Sequence, residues 1–63
     1  MSYELFSAKI NALCAAHGLT AVEIKHEDGR HIARLSDGYT VTANNVTSAV
    51  TFRNRNHCFQ ARF

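Results

Sequence analysis

"HEDGRH", residues 26–31, decides the fold. A histidine stands at each end, and an acid and a base flank Asp28-Gly29. Asp-Gly is a strong signal for a two-residue hairpin loop, because both loop positions need a positive φ. With that loop, Glu27 faces Arg30, His26 faces His31, Ile24 faces Ala33 and Val22 faces Leu35. Every apolar pair then lands on one face. Glu23–Arg34 and Glu27–Arg30 land on the other as opposite-charge pairs. A slip of one residue would set Arg34 against Val22 in the core, so the register is well specified. The symmetry of the stretch is that of a hairpin tip.

Upstream, the hydrophobic period is helical. Tyr3, Phe6, Ile10, Leu13, Cys14 and His17 recur at three- and four-residue steps and form one apolar stripe over residues 3–17, with Glu4, Ser7 and Asn11 opposite. Ser2 suits the N-cap, and Glu4 suits the positive end of the dipole. Gly18 ends the helix, and Leu19 can close it back onto Cys14.

Downstream, the period stays at two. A three-residue loop at Ser36-Asp37-Gly38, with glycine left-handed, sets Leu35 near Tyr39 and Ala33 against Val41. Asn44-Asn45 can make a third turn, since asparagine tolerates left-handed φ, which leaves Val46, Val50 and Phe52 inward. A hairpin through Arg55-Asn56 pairs Phe52 with Phe59, Val50 with Ala61 and Ser48 with Phe63. The sequence therefore predicts a single α+β domain over residues 1–63, with an N-terminal helix packed on one face of an antiparallel meander of four or five strands. The stretch "NNVTSAV" can alternatively be a loop or helical turn, which would reduce the strand number.

Bulk composition bounds what such a chain can do. At 63 residues it buries only about 60% of its unfolded surface, which makes it marginal alone or helped by a partner. Hydrophobic content of 46% argues against disorder. No long apolar run offers a membrane span. The first eighteen residues lack the basic start and unbroken apolar centre of a secretory signal, which points to the cytoplasm. In that compartment Cys14 and Cys58 are expected as thiols. A net charge of +2 is too small by itself to indicate nucleic-acid binding.

The faces say more. The inward side collects Val22, Ile24, Ala33, Leu35, Tyr39, Val41, Val46, Val50, Phe52, Phe59, Ala61 and Phe63. The outward side collects Glu23, Lys25, Glu27, Arg30, Ile32, Arg34, Thr40, Thr42, Thr47, Thr51, Arg53, Cys58, Gln60 and Arg62. Five cations against two carboxylates give that side an excess of three positive charges. A one-sided sheet must in any case have a solvated face, and threonine and arginine suit one. The same face is also the most usable surface in the chain, because arginine makes forked contacts to carboxylate and phosphate.

Other constellations are weaker. Cys14, His17, His57 and Cys58 hold the inventory of a zinc site, but His57 and Cys58 are adjacent and point apart in a strand. His26 and His31 could bind a metal across strands, yet no third ligand is near in sequence; they suit the edge of the core or the hairpin tip. Cys58 beside His57 lacks an oxyanion site, and Glu23, Glu27, Asp28 and Asp37 serve better in ion pairs and turns than as a catalytic dyad. No catalytic residue, metal or cofactor is therefore assigned. "TFRNRNHCFQARF", residues 51–63, interleaves bases and aromatics as RNA-binding strands do. However, the register turns its phenylalanines inward, so phosphate contact is favoured over base stacking.

The expectation is a non-enzymatic binding module that docks on a protein partner through Lys25, Arg30, Arg34, Arg53, Arg55 and Arg62. Size and class suggest an inhibitor of host nucleic-acid machinery carried by a phage or mobile element, of the anti-CRISPR kind. No individual residue points there. Direct binding of a nucleic-acid backbone through the same face is the alternative. A homodimer through the C-terminal strand edge is a third reading.

Overall fold

A computed structural model describes all residues, 1–63. The chain runs α1 (Tyr3–His17), β1 (Ala21–Glu27), β2 (Arg30–Leu35), β3 (Thr40–Asn44), β4 (Ala49–Arg53) and β5 (Cys58–Arg62). The five strands form one sheet in the order β1-β2-β3-β4-β5, each antiparallel to its sequence neighbour. The result is an open meander with a helix on one side, an α+β fold. No helix is long and apolar enough to cross a membrane.

The helix is bounded as its caps dictate. The Ser2 hydroxyl accepts from the Leu5 N–H at 3.1 Å. Gly18 takes φ 68° and Leu19 N–H donates to the Cys14 carbonyl at 2.8 Å, satisfying carbonyls the last turn would leave bare. Phe6, Ile10 and Cys14 are the buried stripe. Tyr3 and His17, at the two ends, are exposed and extend the stripe only nominally.

Asp28 and Gly29 both adopt positive φ, 52° and 74°, and hold Glu27 opposite Arg30, His26 opposite His31 and Ile24 opposite Ala33. Farther from the tip the register shifts. Ala21 rather than Val22 faces Leu35, and Val22 is bulged out and 58% exposed. The cause lies at the helix exit, where Ser36 N–H donates to the Thr20 carbonyl and Thr20 N–H to the Ser36 hydroxyl. Those bonds fix a register one residue out of step with the tip, and a bulge absorbs the difference. Glu27 also pairs differently from expectation. Its carboxylate lies 3.5 Å from Lys25 on its own strand, and no ion pair forms with Arg30.

The second turn keeps three residues. Gly38 is left-handed at φ 94°, and Leu35 N–H donates to the Tyr39 carbonyl. The third turn departs from the sequence reading. Val41 faces Phe52 and Ala43 faces Val50, so residues 45–48 form a four-residue loop. Asn44 Oδ1 accepts from both Val46 and Thr47 N–H, at 2.9 Å each, and turns the chain with its side chain. Val46 is thereby thrown out of the sheet and is 87% exposed, while Ala43, omitted from the expected core, is buried. The last hairpin pairs Phe52 with Phe59 and Val50 with Ala61, and Phe63 N–H reaches the Ser48 carbonyl. Asn54 Oδ1 caps its tip by accepting from Asn56 and His57 N–H.

The core joins Phe6, Ile10 and Cys14 of the helix to Ala33, Leu35, Val41, Ala43, Val50 and Phe52 of the sheet. Because α1 lies over β1 and β2, the β5 end is less covered, and Phe59, expected inside, is 49% exposed. His31 is the buried polar member of this interior. Its ring stacks on Phe6 at 5.4 Å and lies 4.8 Å from His26, and its Nε2 is 2.8 Å from the Met1 carbonyl oxygen. That contact requires a proton on Nε2, and Nδ1 is buried without a hydrogen-bond partner. The expected edge-of-core place for the pair holds for the exposed His26 only.

Candidate functional site: the open sheet face

The face away from the helix is built from three cross-strand rows. Strand pairing lines up Glu23, Arg34, Thr40, Arg53 and Cys58 in the first. The second holds Lys25, Ile32, Thr42, Thr51 and Gln60. The third starts at Glu27, Arg30 and Asn44 and ends at Ala49 and Arg62. Alternation sends all of these away from the core, since their neighbours along each strand point in. Threonine dominates the centre because a branched side chain fits a pleated surface and its hydroxyl tolerates water.

The cations are distributed unevenly over these rows. Arg34 is within 4.0 Å of Glu23, and Lys25 is engaged with Glu27. Both pairs sit at the β1 side and are well exposed, so each contributes little to stability. Arg62, at the β5 edge, donates to the Ser48 hydroxyl at 3.3 Å. Arg30, Arg53 and Arg55 have no carboxylate within ion-pair distance. These three line one shallow groove of about 560 Å³ with Gly38, Thr40, Thr42, Thr51 and Asn54. Its lining holds hydroxyls, an amide and guanidinium groups, with no carboxylate and no apolar side chain. Such a surface can donate hydrogen bonds to an anion without a competing carboxylate in the groove.

Of the six cations named from the sequence, the structure thus gathers three and ties Lys25 and Arg34 to neighbouring acids. Arg62 stands apart at the sheet edge. Alternation alone could place the five strand cations outward, but it says nothing of Arg55 at the hairpin tip, nor of which cations would share a groove.

The remaining constellations do not assemble. Cys14 is buried on the inner side of α1 while Cys58 is exposed on the open face. No three His, Cys, Asp or Glu side chains converge as metal ligands would. Burial pushes the Cys14 thiol above its ordinary value, and the Asp37 carboxylate adds to that shift.

A second depression, of about 620 Å³, lies on the helix side between Leu13, Leu19, Tyr39, Phe52, Phe59 and Phe63. It is the part of the inner face that α1 leaves uncovered. No family model, no curated protein and no solved structure matches this chain.

Proposed function

We propose that the protein is a non-enzymatic binding module whose open sheet face docks on an acidic surface of a protein partner. The observation that carries this reading is the groove in which Arg30, Arg53 and Arg55 meet without a carboxylate among them. Arg30 and Arg53 stand on paired strands and Arg55 on the side-chain-capped hairpin tip, which sets their unpaired guanidinium groups side by side for forked contacts to carboxylates. Arg34 and Lys25 extend the positive field toward β1, and Arg62 extends it toward β5. The finer role proposed is inhibition of host nucleic-acid machinery in the cytoplasm by a phage or mobile-element product, in the anti-CRISPR manner. Small size and the lack of an enclosed cleft support it. Where the partner's acidic patch imitates or borders a nucleic-acid channel, the arginines would act by charge.

Direct binding to a nucleic-acid backbone is the second reading, favoured by the same arginines. The aromatics lie on the helix side, so this face offers no stacking platform for bases.

Capture from a host lysate, with and without nuclease, and in parallel with an Arg30→Ala/Arg53→Ala/Arg55→Ala variant, separates these outcomes. A nuclease-resistant protein held by the native chain and lost with the variant is the expected result. Retention of that protein by the folded triple variant would overturn the assignment. If nuclease releases everything, nucleic acid is the ligand. In that case the slope of log affinity against log salt should fall by about one unit per arginine removed.

A further inference from the structure

The two edges of the sheet are unlike. β1 is guarded: a bulge at Val22 twists it, three charged side chains line it, and the Tyr3 hydroxyl donates to the Ile24 carbonyl at 3.1 Å. These are the devices by which natural sheets prevent unwanted strand addition. β5 has neither the bulge nor the capped carbonyl. It is regular, carries a single charge at Arg62, and is exposed at four of its five residues.

The direction of its free backbone groups follows from the pairing with β4. Phe63 N–H donates to Ser48 and Asn54 N–H to His57, so those two pairs are of the hydrogen-bonded type. Alternation along the ladder makes Val50–Ala61 and Phe52–Phe59 the same type. The N–H and C=O groups of Cys58, Gln60 and Arg62 therefore point outward, away from β4. Gln60 is the midpoint of this set.

We propose that β5 is a self-association edge, on which a second copy of this chain pairs antiparallel about a two-fold axis at Gln60. This register lets Gln60 exchange both backbone bonds with its own counterpart. Cys58 exchanges both with Arg62 of the second copy, and Arg62 with Cys58. Every outward group of both edges is satisfied, and other dyad positions leave some unpaired. Side chains also agree. On the helix side the half-exposed Phe59 lies opposite the small Ala61 of the other copy, and on the open side no like charges stand directly opposite. The product is a continuous ten-stranded sheet whose two basic faces share one side. An isologous contact of this kind closes on itself and does not propagate. It uses edge backbone and leaves the groove arginines free, so it stands independently of what the open face binds.

Sedimentation of the native chain from micromolar to millimolar concentration should show the mass rising toward twofold. Gln60→Pro removes one outward N–H at an edge position that accepts proline, so it should remain folded and monomeric. Gln60→Lys, which sets two ammonium groups face to face at the axis, should behave the same way. The register is read by cross-linking. Gln60→Cys in a Cys58→Ser background should form a disulfide dimer on oxidation, because hydrogen-bonded partners lie about 5.5 Å apart between Cα atoms. Arg62→Cys in the same background should not, since its counterparts lie on the order of 13 Å apart along the strands. A native chain that stays monomeric at millimolar concentration would sink the proposal. So would a folded Gln60→Pro or Gln60→Lys variant that still dimerises, or cross-linking at position 62 but not at 60.

Discussion

Phe52 and Phe59 stack across β4 and β5 with ring centroids 5.0 Å apart and planes within 2° of parallel. The two rings are not equivalent. Phe52 is sealed in the core, with Tyr39 and Phe63 edge-on to it, whereas half of Phe59 faces water. Phe52→Ala should cost about 3–5 kcal/mol. A chain of this length has a total stability of roughly 3–9 kcal/mol, so that substitution should remove about a third of it or more. Phe59→Ala should cost only about 1–2 kcal/mol, because less area leaves water when it folds. Urea titrations of the two variants compare them, and equal losses would contradict the uneven cover.

His31 is expected to matter for its shape more than for its polarity. His31→Phe keeps a ring between Phe6 and His26, gives up one hydrogen bond worth about 1 kcal/mol, and removes the bare Nδ1. Its net effect should be under about 1 kcal/mol. His31→Ala opens a cavity beside Phe6 and should cost about 2–4 kcal/mol. Thermal melts of the pair decide the matter, and coincident curves would mean that the hydrogen bond to Met1, and not the packing, holds this corner.

The two thiols should react very differently. Cys58 is exposed, so iodoacetamide should modify it in the native protein, while Cys14 should react only through opening of the fold. The raised Cys14 value also has a sign. The unfolded thiol ionises near its ordinary 9.0 and the folded one only above that. The protonated thiol's contribution is complete below pH 9.0 and declines as pH rises through the folded value. Denaturation midpoints measured on either side of that range should fall with rising pH, and the decline should be smaller in Cys14→Ala.

Val46 and Val22 are exposed, the former in a loop and the latter in a bulge. Val46→Asp and Val22→Thr should each change stability by no more than about 0.5 kcal/mol. Val50→Ala, which removes two buried methyl groups, should cost about 2 kcal/mol. A large loss at Val46 in chemical denaturation would restore the inward placement that its sequence position suggests.

These residues also show what the sequence could tell. Asp28-Gly29 and Gly38 announce their turns locally, and the two registers they set are the ones observed, from Glu23 to Val41. The third turn has no glycine. It is built by one asparagine side chain reaching two amides ahead, so counting inward residues placed Val46 wrongly. The Val22 bulge depends on bonds between Thr20 and Ser36, sixteen residues apart, which no local pattern reveals. For the open face, alternation correctly turned the arginines outward. Their division into an unpaired trio and a neutralised pair depended on side-chain reach, as when Glu27 chose Lys25 over Arg30.

The off-centre seat of α1 has a kinetic counterpart. β2 and β3 are flanked by strands on both sides, and β2 lies directly under the helix, whereas β5 is held by one neighbour and a few aromatic rings. Among the hydrogen-bonded strand amides of the monomer, exchange should accordingly be slowest near Ala33 and Val41 and fastest at Ala61, with β5 detaching from β4 before the remainder melts. Breathing of this kind would bring Tyr39 and Phe52 into transient contact with water while the Asp28-Gly29 tip stays closed, so the chain unzips from one side.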